Sequence, residues 1–137
     1  MKDLFDVHCH MVPGVDDGAS DLEESLAMLK MEYRDGVRNI IVTPHYRRRM
    51  FETPAKKVHE QFQKLQEAAK KEYPDLSLYL GCELHSNMDL QEILEKRKYV
   101  TMAGSSYVLL EFSEGDSAQH IRERAVSYTH LTLPTKA

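Results

Sequence analysis

The chain has 137 residues, with 18 basic and 22 acidic side chains and a formal net charge of −4. That length suits one ordinary domain and falls well short of the roughly 250 residues of a complete (β/α)8 barrel. An apolar share of 42% with 29% charged residues argues against wholesale disorder, and the acidic balance argues against a nucleic-acid surface. No apolar run approaches the roughly 20 residues that cross a bilayer.

Leu4–Val7 reads as a first strand. A helix begins at Ser20, where Ser20 and Glu23 have the spacing of a capping box. Leu22, Leu26, Leu29 and Tyr33 recur at helical spacing as one buried stripe, and Gly36 stops the helix. VRNIIVT (37–43) is a second strand, ended by Pro44. Thr53 and Pro54 open a second helix as N-cap and first helical residue. Its stripe is Val58, Phe62, Leu65 and Ala69, and Pro74 ends it. Residues 76–80 form a third strand that closes at Gly81. Asp89 and Glu92 predict another capped helix, with Leu90, Ile93 and Leu94 inward. Tyr107–Phe112 is a fourth strand. Asp116 or Ser117 caps a last helix, where Ala118, Ile121 and Ala125 share a face. The order βαβαβαβα predicts an α/β fold, a parallel sheet or barrel with helices outside. There is no internal repeat or low-complexity tract.

The helical pattern stops after Ala125. The segment VSYTHLTLPTKA (126–137) resembles the translation of a sequencing-library transposon adapter. This predicts a native domain over residues 1–125 and a non-native tail over residues 126–137. The alternative is a genuine β-like tail, which the Thr-Leu-Thr-Leu alternation would suit. The N-terminus has no apolar h-region, and Cys9 and Cys82 form no CxxC pair. Free thiols in a reducing cytoplasm are therefore expected.

In parallel α/β folds, chemistry sits at the carboxyl ends of the strands. Here those ends carry His8-Cys9-His10, His45, Cys82-Glu83 and Glu111. In an extended segment, residues i and i+2 face the same way, so His8 and His10 can grip one cation. Asp16 and Asp17 follow in a Gly-bounded loop that can fold a carboxylate over the site, or simply make a solvated turn. Glu83 and Glu111 at the ends of buried strands are costly unless paired or metal-bound; the alternative is an exposed strand end. Mixed imidazole and carboxylate ligands favour Mn²⁺, Fe²⁺ or Zn²⁺ over Ca²⁺ or a pure Mg²⁺ site. Arg47, Arg48 and Arg49 follow at the same rim. They could recognise a dianionic phosphate, or form a solvated charge run. Tyr46 and Phe51 could pack on an aromatic substrate or cover the mouth. His85, two residues from Glu83, is a weaker ligand candidate. His59, His120 and His130 are set aside, and the cysteines are expected to pack rather than react.

At these residues the chain resembles the PHP (polymerase and histidinol phosphatase) family of metal-dependent protein tyrosine phosphatases, from bacterial capsule and exopolysaccharide loci. The resemblance rests on D-x-H-x-H (6–10), DDG (16–18), TPH (43–45), G-x-E (81–83) and LEF (110–112), and spans most of residues 1–125. It implies the N-terminal half of a distorted TIM-like β/α barrel and a trinuclear site, often manganese-dependent, with Fe²⁺, Zn²⁺ or Mg²⁺ as other possible ions. Carried over by position, the metal ligands are His8, His10, Asp17, His45, Glu83 and Glu111. Asp17 with Arg47, Arg48 and Arg49 are the candidate catalytic residues. The implied substrate is phosphotyrosine on a partner bacterial tyrosine kinase. The family's later histidine, its phosphate-binding arginine and its late Asp-x-His pair are not visible after Ala125. The chain as written is therefore expected to be inactive or unstable. The alternatives are another PHP phosphoesterase, histidinol-phosphatase-like, or a metal-binding fragment without turnover.

Overall fold

The structure, a computed structural model, describes residues 3–87, 89, 92–93 and 101–129. Among these, the strands are β1 (Leu4–Cys9), β2 (Val37–Val42), β3 (His45–Tyr46), β4 (Ser77–Leu80), β5 (Glu83–His85) and β6 (Leu109–Glu111). The longer helices are α1 (Leu22–Arg34), α2 (Ala55–Glu72) and α3 (Ala118–Thr129).

Every strand pairing is parallel. One sheet has the order β1-β2-β4 and the other β3-β5-β6. The second sheet continues the first outward. β2 leads into β3 through Thr43 and Pro44, and β4 into β5 through Gly81 and Cys82. Proline cannot donate to a ladder. Pairing nevertheless crosses the break, because Gly81 N donates to Val42 O (2.8 Å) and Glu83 N to Pro44 O (3.0 Å). The second and third expected strands are thus each extended by a short outer segment. That segment carries His45 in one case and Glu83 in the other. Among the described residues both sheets are open, with β1 at an edge of the first and β6 at an edge of the second.

α1 and α2 cover the first sheet. Leu29, Val58, Phe62, Leu65 and Ala69 meet Val37, Ile40, Val42 and Leu78 in the main core, with Leu22, Leu26 and Tyr33 packed against it. Burying one such side chain contributes about 1.5–3 kcal/mol. Met11, Val12 and Val15 also lie in this core, so the loop after β1 is anchored by apolar contact. A smaller cluster of Cys82, Leu84 and Ile93 packs with Tyr46, Leu110 and Tyr128 beneath the second sheet.

Three local readings shift. α1 is capped by Asp21, whose carboxylate accepts from Glu24 N at 2.8 Å, while Glu24 reaches back to Ser20 N at 2.9 Å. The capping box is therefore displaced by one residue from Ser20–Glu23. α2 begins at Ala55 with Pro54 as its cap position. Thr53 does not cap it but donates from its hydroxyl to Val15 O at 2.7 Å, tying α2 to the first loop. The last helix, with Ser117 Oγ accepting from His120 N, runs past Ala125 to Thr129. Its Tyr128 hydroxyl donates to Ser86 O at 3.3 Å. Gly36 ends α1 as expected, with φ +99°. Asp89 accepts from Glu92 N at 3.3 Å and Ile93 is buried, whereas Leu90 and Leu94 fall outside the described residues.

Candidate metal centre

The outer segments and the loop after β1 bring all six expected ligands together. β1 delivers His8 and His10 to the rim. Glu83 Oε2 is 3.0 Å from His8 Nε2 and 3.0 Å from His10 Nε2. His45 Nδ1 is 3.4 Å from the same Glu83 oxygen and 3.3 Å from Glu111 Oε2. Asp17 reaches in from the acidic loop, with Oδ1 3.7 Å from His45 Nε2. Glu83 is the most enclosed of the three acids and Asp17 the most exposed.

Three overlapping groups each offer donor atoms within 4.8 Å of one another, close enough to hold a metal ion. They are His8–His10–Glu83, His10–Asp17–His45 and His45–Glu83–Glu111. His10, His45 and Glu83 each belong to two groups, so the three share corners. The donor chemistry fits cations. His45 Nδ1 and Glu111 Oε2 are both buried and have no hydrogen-bond partner among the described residues. Leaving such groups unsatisfied is costly, and a shared cation would satisfy both.

Asp16, whose role the sequence left open, holds this cluster in shape. Its side chain is only 1% exposed. One oxygen pairs with His10 Nδ1 at 3.1 Å and accepts from His45 N at 3.0 Å. The other accepts from Gly18 N at 2.9 Å. Burial pushes the Asp16 carboxyl up, but its bonds from His10, His45 N and Gly18 N outweigh that and hold it below the usual carboxylate range. The bond to Asp16 in turn raises His10 against the opposing effect of burial. A carboxylate on Nδ1 directs Nε2 of His10 toward Glu83, the arrangement by which ligand histidines are commonly oriented. The local signal is the Asx turn, in which an aspartate accepts from the backbone N–H two residues on; it accounts for the Gly18 bond and not for the contacts to His10 and His45.

Gly18 makes the close approach possible. A Cβ there would lie 2.1 Å from His10 O and 2.5 Å from His10 Cβ. Behind the loop, buried Ser25 of α1 donates to Met11 O at 2.6 Å. Aromatic contacts extend the scaffold: His10 stacks on His45 at 4.3 Å, and Phe51 stacks on His45 at 5.0 Å. Phe51 therefore packs on a candidate ligand ring.

The three arginines are not equivalent. Arg47 and Phe51 exchange backbone bonds of 2.9 Å in each direction, closing a tight loop. Arg48 and Arg49 stand exposed at its tip, where Arg49 takes φ +68°. Arg47 is half-buried at the base, with Nη2 3.4 Å from Ser113 Oγ.

His85 does not join the three candidate metal groups found among the described residues. It is buried, with Nε2 3.0 Å from Ser113 Oγ and Nδ1 accepting from Asn87 N at 3.1 Å. Both ring nitrogens are therefore engaged. His59 lies on α2 beside Gln63 and His120 on α3, both apart from the cluster; His130 lies outside the described residues. Neither cysteine forms a disulfide. Cys82 is in the small core, and burial pushes the Cys9 thiol up, away from the thiolate a nucleophile needs. No helix among the described residues is long and apolar enough to cross a membrane.

Residues 4–131 match the family model described as capsular polysaccharide synthesis, CpsB/CapC. The tyrosine-protein phosphatase CpsB of Streptococcus pneumoniae is 43% identical over 118 residues, covering 86% of this chain and 49% of that protein. The tyrosine-protein phosphatase YwqE of Bacillus subtilis is 32% identical, covering 80% of this chain and 43% of that protein. A crystal structure from work on those two proteins, described as metal-dependent tyrosine phosphatases, aligns with TM-score 0.80 and 28% identity. It covers 92% of this chain and 51% of that one. The chain thus spans about half the length of the curated relatives it matches.

Proposed function

The chain belongs to the CpsB/CapC family of capsular polysaccharide synthesis proteins, and from that premise we propose that it is the metal-binding N-terminal half of a protein tyrosine phosphatase. The observation that carries this reading is the corner-sharing cluster of His8, His10, Asp17, His45, Glu83 and Glu111. Six residues in three linked groups suit three cations better than one, in keeping with the trinuclear site of a PHP barrel whose remaining ligands lie elsewhere. The family resemblance suggests Mn²⁺, with Fe²⁺, Zn²⁺ or Mg²⁺ as other ions, and the mixed imidazole and carboxylate donors suit Mn²⁺, Fe²⁺ or Zn²⁺.

Divalent cations held there would supply Lewis-acid polarisation of a phosphoryl oxygen and a lowered pKa for water. The chain's own residues do the rest. Glu83, in reach of His8, His10 and His45, would hold a cation together with them. Asp16 fixes the His10 ring and the backbone at His45. Asp17, the most exposed ligand, closes the cluster from the solvent side. Arg47, Arg48 and Arg49 bring positive charge to the rim, where a phosphate dianion would approach. Phe51, stacked on His45, presents aromatic surface beside the mouth, whereas Tyr46 packs against the small core and does not. The substrate proposed is phosphotyrosine on a bacterial tyrosine kinase that regulates capsular or exopolysaccharide synthesis, met in the cytoplasm.

The test combines elemental analysis with hydrolysis of phosphotyrosyl peptide, p-nitrophenyl phosphate and histidinol phosphate under added Mn²⁺. Preference for the phosphotyrosyl peptide is expected. Preference for histidinol phosphate would move the chain to another phosphoesterase activity. Bound metal without turnover on any of the three would reduce it to a metal-binding fragment.

A further inference from the structure

Three neighbouring segments repeat one pattern. Each places a metal-ligand candidate at one position and a second polar residue two positions later: His45 then Arg47, Glu83 then His85, Glu111 then Ser113. In extended chain, such residues face the same way. The first members meet one another at 3.3–3.4 Å. The second members also meet, through Ser113 Oγ, at 3.4 Å from Arg47 Nη2 and 3.0 Å from His85 Nε2. A second polar tier therefore lies beside the metal tier.

Proton bookkeeping gives this tier its chemistry. His85 Nδ1 accepts from Asn87 N, so the ring proton is on Nε2 and is donated to Ser113 Oγ. Arg47 has only donors, so it too gives a proton to Ser113 Oγ. Both lone pairs of that oxygen are then used as acceptors. The serine's own O–H is left to donate elsewhere. The backbone N–H of Ser113 is committed to Asp116 Oδ2 at 2.8 Å, which also engages that carboxylate.

We propose that Arg47 and the Ser113 hydroxyl form an anion-binding pair for the phosphoryl group of the substrate, with His85 as the positioning residue behind Ser113. The proposal rests on the phosphatase reading and goes beyond it by dividing the arginines. Arg47 binds the phosphoryl oxygens from a fixed base, while Arg48 and Arg49, at the exposed tip, do not. A charged donor and a hydroxyl donor on one anion are worth about tenfold or more in affinity each.

The experiment is calorimetric titration of inorganic phosphate into the full-length Mn²⁺-loaded protein, with steady-state hydrolysis of a phosphotyrosyl peptide alongside. The variants are Ser113→Ala, Ser113→Thr, Arg47→Ala and the Arg47→Ala/Ser113→Ala double substitution. Ser113→Ala is expected to weaken phosphate about tenfold and raise KM similarly, with kcat within about twofold and metal content unchanged. Ser113→Thr keeps the hydroxyl and restores both. The double variant is expected to lose less than the product of the single losses. Phosphate affinity in Ser113→Ala equal to wild type overturns the proposal. Loss of metal from Ser113→Ala also overturns it, by making the serine a support for Glu111. If the wild type hydrolyses no phosphotyrosyl peptide while Ser113→Ala still weakens inorganic phosphate, the phosphatase reading fails and the anion pair stands.

Discussion

Asp16 holds His10 by Nδ1 at 3.1 Å, and through that one contact decides which way the opposite nitrogen of the ring points. The same carboxylate oxygen accepts from His45 N at 3.0 Å, so two segments that carry ligands are tied to one buried charge.

Asp16→Asn keeps the shape but removes the charge that orients His10. Metal affinity is expected to fall about 10–100-fold, the usual loss when the outer partner of a ligand histidine is changed. Competition with a metallochromic indicator reads the change directly. Affinity equal to wild type would show that His10 needs no orienting carboxylate.

Glu83→Ala is expected to release more than one cation, because Glu83 Oε2 lies within 3.4 Å of His8, His10 and His45. Metal-dependent activity should vanish with it. His59→Ala, on the face of α2 beside Gln63, should leave metal content and activity near wild type. Equal losses in the two variants would refute the assignment.

Gly18→Ala forces a Cβ to within 2.1 Å of the His10 carbonyl oxygen, a backbone atom that cannot step aside cheaply. The loop must shift, at a cost of about 1–3 kcal/mol or more. The expected result is a lowered melting temperature together with weakened metal binding, since His10 moves with its own backbone. A variant that loses stability but binds metal normally would place the strain outside the site.

Glu32 on α1 gives a pH dependence separate from the metal centre. Burial, followed by a hydrogen bond to Asp6 and repulsion from Asp6 and Asp35, pushes its carboxyl up to about 7. The folded state therefore holds a proton that the unfolded state releases near its ordinary value of 4.5. Stability should fall as pH rises from about 4.5 to about 7 and level off above that range. Glu32→Gln removes the ionising group. It should raise the melting temperature by a few degrees at pH 8, roughly 3 °C, with little gain at pH 5. A gain of the same size at both pH values would point to packing instead.

The sequence alone determined the order of the longer strands and helices among the described residues, without the short segments β3 and β5, and the residue types that are candidates for metal binding. Period-2 and period-3.6 patterns are local, and they located β1, β2, β4, α1 and the stripe Val58–Phe62–Leu65–Ala69 because burial on one face imposes them. The HxH pair and the acids at strand ends were legible for the same reason: parallel strands deliver their carboxyl ends to one rim. The family motifs then chose Asp17 over Asp16 as a ligand candidate. Only the tertiary structure decided what those neighbours do. Which of two adjacent aspartates turns inward depends on Gly18 letting the loop press against His10, a contact between backbone segments that no spacing rule encodes. The inequality of Arg47, Arg48 and Arg49 is of the same kind. Three identical side chains in a row differ only because the backbone bonds between Arg47 and Phe51 fold the loop, and because Ser113 arrives from the segment after β6, far along the chain. His85 could be read as a ligand until Asn87 N and Ser113 Oγ were seen to occupy both of its nitrogens. Hydrogen-bond partners are fixed by where strands meet, and that meeting is set by packing across the whole core.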